Sequence, residues 1–281
     1  MFIPFQLGRY TVTDRVRVGG MSEVLEGRFV DEEGDLARIA LKRPLPEASP
    51  DPRLMVMFWE ECALMERVHH PAFPRFIESG MAGGQPYMAM ELLRGRRLRD
   101  LLTARPEDTV GANPATWVLV AAEIAEAAHS LHELQGEGGR TILHGDINPS
   151  NILIDTEGRV RLLDLGIAAG IARSLNGVLP GHRLYHPPYL ALDVERPDVD
   201  LDTYPIGRIL VECFAGDDAS VAMRRGLPET LVTVLSNAMD PGGLYVYKDA
   251  AQLARDLRSF IREDRIPEMR RELQALALAT P

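Results

Sequence analysis

Only two cysteines, Cys62 and Cys213, occur in 281 residues, and both fall in apolar helical patterns. A disulfide framework is excluded as the organising device, and free buried thiols in a reducing cytoplasm are expected. Lysine is equally scarce: the 31 basic residues comprise 29 Arg and two Lys, Lys42 and Lys248. A chain so biased toward arginine draws attention to each lysine it keeps. The formal net charge is −10, so no basic face is expected for gripping nucleic acid or an anionic membrane. No apolar run approaches the ~18 residues of a membrane span. The opening MFIPFQLGRYTV lacks the succession of basic stretch, apolar core and small-residue cleavage site that marks a signal peptide. Internal repeats and low-complexity segments are absent.

What is present is an ordinary globular balance, 46% hydrophobic and 26% charged, long enough to bury a sizeable core. The first ~90 residues read as strands with one helix. TVTDRVRV and SEVLEGRFV alternate as two strands joined through Gly19-Gly20, and ARIALK is a third. The breaker-rich PLPEASPDP leads into a helix over 52–68 that stops at His70-Pro71, and PRFIES and QPYMAMEL complete five strands. The remainder is mostly helical. Pro114–Leu134 is a long helix with Asn113 as its cap, and further helices span Asp202–Ala215, Leu227–Met239, Ala250–Ile261 and Pro267–Ala277. A β-hairpin, NILIDTEGRVRLLD, interrupts them at 151–164.

That hairpin turns at Asp155–Gly158, so Asn151 and Asp164 meet at its open end. An amide oxygen beside a carboxylate suits a hard cation such as Mg²⁺. His144-Gly145-Asp146 brings another acidic group to the same end; taken alone, these residues could equally be the polar ends of a surface hairpin. In the first half, strand alternation puts Ala40 and Lys42 on one face. Helical spacing puts Glu61 in an apolar stripe with Phe58, Met65 and Val68. A carboxylate in such a stripe is costly unless paired, and Lys42 is the obvious partner.

The string HGDINPSNILI followed by LLDLG resembles the catalytic and metal-binding loops of protein kinases, IALK resembles their Val-Ala-Ile-Lys strand, and FWEECALMERVHHP their helix ending in His-Pro. VRVGGMSEV resembles the Gly-rich phosphate loop in part, with Arg17 and Ser22 at the first and third glycine positions. The resemblance covers about residues 10–262, with the motifs in the family's order, and is nearest to bacterial-type Ser/Thr protein kinases. It implies an α+β, two-lobed fold: a small, mostly antiparallel β lobe with one helix at 1–92 and a large, mainly helical lobe at 93–281, together one kinase-like domain.

The resemblance also implies roles. Asp146 orients the acceptor hydroxyl and takes its proton, Lys42 pairs with Glu61 and reaches phosphates, and Asn151 and Asp164 hold Mg²⁺. Val18, Gly19 and Gly20 cover the ATP phosphates, while Val24, Ala40 and Leu153 sandwich the adenine. Met90 guards the back of its pocket, and the backbone from Glu91 to Leu93 bonds its edge. His144 supports the loop, and Asp202 anchors its backbone. The implied reaction is ATP- and Mg²⁺-dependent phosphotransfer to a Ser/Thr hydroxyl of a protein, this chain included. The partners are ATP and a protein substrate or regulatory protein, not nucleic acid or membrane.

Four departures qualify that expectation. Gly145 replaces the Arg that grips a phosphorylated activation segment, and 167–188 offers Ser174 and Tyr185 but no Thr, so activity without phosphorylation there is expected. Asn148 stands where Ser/Thr kinases carry Lys, and His182 replaces the Thr that bonds it. Tyr189 replaces a Glu whose Arg partner is also missing, its place taken by Leu244 or Val246. Only about ten residues separate Gly216 from Leu227. These leave open two other readings: a pseudokinase acting as a binding or scaffold module, and a small-molecule hydroxyl kinase of the aminoglycoside or choline kinase type. His69, His129, His132 and His186 show no metal-ligand spacing. The stripe Ile266, Met269, Leu273 and Leu276 is expected to pack on the chain's own large lobe.

Overall fold

Alternation decides the first half of the molecule. In β3 (Ser22–Val30), Glu23, Leu25 and Gly27 are buried on one face while their neighbours are partly exposed. The computed structural model describes residues 2–30, 34–46, 51–104, 113–165, 183–188, 199–215, 227–240 and 247–279. Ser174, His182, Tyr189, Leu244 and Val246, Gly166 of the expected metal loop, and the short stretch after Gly216 lie outside those residues. The chain divides into two compact units, Met1–Leu93 and Arg94–Pro281.

The first unit is a six-stranded antiparallel sheet in the order β1-β2-β3-β4-β6-β5. Its other strands are β1 (Phe5–Leu7), β2 (Tyr10–Val18), β4 (Leu36–Pro44), β5 (Phe76–Ala82) and β6 (Gln85–Glu91). The sequence shows five of these. β1 is only three residues long, too short for alternation to register, and is held by pairing Phe5 opposite Val12. One face closes over Leu7, Tyr10, Val12, Leu25, Ile39, Leu41, Tyr87 and Ala89. There the Tyr10 ring meets Phe29 and Tyr87 edge to face. The register Val24↔Lys42, Ala40↔Met90 and Lys42↔Met88 places those side chains together on the opposite face.

Helix α1 (Pro52–Arg67) packs against β4 and β5. The Asp51 side chain accepts the Arg53 N–H at 2.9 Å, Pro52 opens the first turn, and the chain leaves helical geometry at Val68. Met57, Phe58, Cys62, Leu64 and Met65 form its buried face. Burial pushes the Cys62 thiol up to about 12, which makes it an inert packing residue. Cys213 is also a free thiol, half-buried.

The second unit is built round α3 (Pro114–His132). Asn113 caps it by accepting the Ala115 N–H at 3.0 Å, and it is buried on nearly every side. Against it pack α4 (Asp200–Ala215), α6 (Ala250–Arg258) and α7 (Ile266–Leu278), while α5 (Glu229–Met239) lies on α4. A second, three-stranded sheet joins β7 (Gly95–Arg97), β8 (Ile152–Asp155) and β9 (Val160–Leu162), and α2 (Leu98–Thr103) follows β7 directly. Gly95 sits at φ 156°, where a Cβ would stand 2.0 Å from the Ile154 carbonyl; only glycine allows β7 to lie on β8.

The far end of the β8–β9 hairpin is pinned to α7. Gly158 is packed so that a Cβ would lie 2.3 Å from the Arg270 carbonyl oxygen. Arg270 pairs with Glu123 of α3 and donates to the Gly158 carbonyl at 2.9 Å. Met269 and Leu273 are buried there, so the last helix covers the chain's own second unit as expected. Among the described residues no helix is long and apolar enough to cross a membrane.

Candidate functional site

The first unit presents Lys42. Its ammonium lies 2.6 Å from Glu61 Oε1, and both side chains are nearly excluded from solvent, at 8% and 12% exposure. Two periodicities produce the pair: period two turns Lys42 to the face of Ala40, and the 3.6-residue helix turns Glu61 into the stripe of Phe58 and Met65. Ala40, Met88 and Met90 surround the lysine stem on that face and are buried, with Val24 beside them half-buried. At the strand end, the Glu91 N–H donates to the Arg75 carbonyl at 2.9 Å, so an incoming base cannot use that donor; Leu93 is half-buried.

The turn Val18–Met21 closes through Gly19 N–H donating to the Ser22 carbonyl at 2.7 Å. A Cβ on Gly20 would meet nothing, and Val18 is half-exposed, so this tip is open. Its base is braced by an ion cluster that sequence reading missed. Glu23, 2% exposed, lies 2.9 Å from Arg15 Nε and 2.8 Å from an Arg43 nitrogen, tying β2, β3 and β4 together on the face opposite Lys42. Its signal was available: Glu23 shares the alternation of Leu25 and Gly27, a charge on a buried face.

The second unit presents the loop 144–151. Asp202, wholly buried at the start of α4, accepts the His144 N–H at 2.9 Å and the Gly145 N–H at 2.8 Å. Its Oδ2 also takes a hydrogen bond of 2.8 Å from His132 Nε2. Burial alone would raise the Asp202 carboxyl. The His132 hydrogen bond, with the neighbouring imidazoles and the Gly145 N–H, holds it below the usual carboxylate range. His132, unremarkable by spacing, is therefore part of the loop's support. Gly145 lies at φ 74°, a left-handed conformation that costs a side-chain-bearing residue about 1–2 kcal/mol and glycine nothing.

Beyond Gly145, the Asp146 carboxylate is met by two amides. Asn148 Nδ2 donates to Oδ1 at 2.9 Å and Asn151 Nδ2 to Oδ2 at 2.8 Å. With Nδ2 so committed, Asn151 Oδ1 is the atom left for another ligand. The Leu163 N–H donates to the Asn151 carbonyl at 2.8 Å, which seats Asp164 beside the loop at φ 56°. Leu153 is buried in β8. Among the described residues no cluster of three or more His, Cys, Asp or Glu is placed to hold a metal unaided. One amide oxygen and one carboxylate fit Mg²⁺, which keeps waters and phosphate oxygens as its remaining ligands.

His144 is fully buried, and that burial lowers its pKa, opposed by the charges of Asp202 and Asp164. The unfolded chain therefore binds a proton that the folded chain refuses. Stability is complete above the ordinary His value of about 6.5 and declines as pH falls below it toward the folded value. Thermal unfolding at pH about 7.5 and 5.5 should show this loss, with a smaller loss in His144→Asn.

The family model described as "Protein kinase domain" matches residues 10–233. Among curated proteins, the chain is 29% identical over 283 residues to the tyrosine-protein kinase MasK of Myxococcus xanthus, covering 91% of this chain and 43% of that protein. It is 30% identical over 221 residues to the serine/threonine-protein kinase PknB of Mycobacterium leprae (76% and 33% covered). To PknL of Mycobacterium tuberculosis it is 27% identical over 285 residues (93% and 68% covered). The chain thus spans less than half the length of the first two relatives. Among solved structures, the Mycobacterium tuberculosis PknI kinase domain has the same fold, with TM-score 0.68 at 22% identity, covering 92% of this chain and 98% of that one. The PpkA-294 apo form gives TM-score 0.68 at 20% identity, with 90% and 97% covered.

Proposed function

The chain belongs to the protein kinase domain family, and from that premise we propose that it transfers the γ-phosphate of ATP to a Ser/Thr hydroxyl of a protein. The observation that carries this reading is the loop anchored by Asp202, on which Asp146 stands with its carboxylate held by Asn151. Phosphoryl transfer asks mainly for positioning and charge neutralisation. Asp146 receives the hydroxyl proton as the acceptor oxygen bonds to the γ-phosphorus. The bond from that phosphorus to the β–γ bridging oxygen breaks, and its electron pair leaves with ADP. Lys42, oriented by Glu61, binds phosphate oxygens. Asn151 and Asp164 are the residues that would hold Mg²⁺, which when bound neutralises triphosphate charge. Val18, Gly19 and Gly20 cover the phosphates, and Val24, Ala40, Met90, Leu93, Leu153 and the carbonyl of Glu91, whose N–H is already engaged, receive the adenine. The free thiols Cys62 and Cys213 favour a reducing cytoplasmic setting.

The test is incorporation of labelled γ-phosphate by wild type and Asp146→Asn with a mixed protein substrate. The variant should lose about 10²–10⁴ in rate, the usual worth of a positioned proton acceptor. Equal incorporation would remove the enzyme claim. Phosphoamino-acid analysis of the product should return phosphoserine or phosphothreonine; phosphotyrosine alone would overturn the acceptor assignment.

A further inference from the structure

We propose that Asn148 is a positioning residue for the transfer step: its neutral carboxamide, working as the counterpart of Asn151, fixes the orientation of the Asp146 carboxylate. This deepens the reading above and rests on it. Asn148 is 1% exposed and its side chain is bonded at both ends. Nδ2 donates to Asp146 Oδ1 at 2.9 Å and to the Asp146 carbonyl at 3.0 Å. Asn151 repeats the arrangement from the other side, 2.8 Å to Oδ2 and 3.1 Å to the same carbonyl. Each carboxylate oxygen therefore has its own amide donor, and both donors share one backbone oxygen.

The consequence is rotational. The terminal torsion of an aspartate is broad and nearly two-fold, so a single donor leaves the carboxylate free to swing. Two donors on opposite oxygens define its plane, and with it the direction in which the remaining lone pairs can receive a proton. The other end of Asn148 holds the loop: Oδ1 accepts the Ser150 N–H at 2.9 Å, and the Asn148 carbonyl accepts the Asn151 N–H at 2.9 Å. One residue thus ties Asp146 to Asn151. Its amide is uncharged and turned inward, so charge neutralisation falls to groups other than residue 148.

Asn148→Asp separates the two ends. It keeps the acceptor for Ser150 but turns a carboxylate, with no donor, toward Asp146. Asn148→Ala removes both ends. A residue serving only loop structure would make Ala the worse variant. A positioning residue makes Asp at least as damaging as Ala in kcat, each down about 10- to 100-fold, with KM for ATP within about threefold of wild type. The contact can also be read with Asn148 itself left in place. The Asn148 side-chain amide resonances should move in Asp146→Asn, and unmoved resonances would overturn the proposal. So would kcat values for both Asn148 variants within about twofold of wild type, in a protein whose activity Asp146→Asn abolishes. Wild-type activity no greater than that of Asp146→Asn would instead sink the kinase reading itself, a separate outcome.

Discussion

Lys42→Met is expected to destabilise the protein by about 3–5 kcal/mol, the usual result of removing one partner from a buried ion pair. Methionine preserves the length and apolar stem, so packing against Ala40, Met88 and Met90 survives and the charge alone is lost. Glu61, 12% exposed, is then left as a carboxylate in the stripe of Phe58 and Met65. The cost comes from that stranded charge more than from the lost attraction. For this reason the double variant Lys42→Met/Glu61→Gln should recover much of the stability. Chemical denaturation of the single and double variants measures the difference, and a double variant no more stable than Lys42→Met would contradict the account. If Lys42 binds ATP phosphates, Mg-ATP should raise the thermal midpoint of wild type, because a ligand that binds only the folded state stabilises it. The double variant should show little of that rise even though its fold is restored.

Asp202→Ala is the second large effect. The substitution strands two buried backbone N–H groups, those of His144 and Gly145, at about 1–3 kcal/mol each. It also removes the acceptor from His132. The loop it releases carries Asp146, and displacement of a reacting group by about 1 Å can cost about 10²-fold in rate. Asp202→Ala should therefore lose stability in denaturant and transfer activity together. Asp202→Asn, which keeps one oxygen acceptor but turns an amide toward another donor, should fall between. Full activity in a destabilised Asp202→Ala would mean that the loop holds its shape without the anchor.

Local chemistry brought the candidate residues together, and the resemblance to kinase motifs supplied their roles. Lys42 and Glu61 could be paired because a period of two and a period of 3.6 each leave one charge on an apolar face, and only opposite charges make that tolerable. Asn151 and Asp164 could be assigned to one end of a hairpin because both strands run outward from the turn at Asp155–Gly158. The Asn113-Pro114 start of α3 and the His-Pro stop of α1 were legible for the same reason: caps and breakers act over a few residues. β1 escaped because three residues carry no alternation. Glu23 shows as a charge on a buried face of its own strand, but its partners Arg15 and Arg43 stand on neighbouring strands and only the sheet register brings them to it.

The sequence by itself determined which elements form, which faces are apolar, and which chemical groups those faces and turns present. Propensity, capping and periodicity are short-range effects that operate before the chain is packed. Only the tertiary structure decided that His132 meets Asp202 seventy positions away in the chain, that Asp202 reaches back to the loop 144–145, and that Asn148 turns inward onto Asp146. Those outcomes depend on α3 and α4 packing until buried donors and acceptors have no water left to bond, and find one another instead.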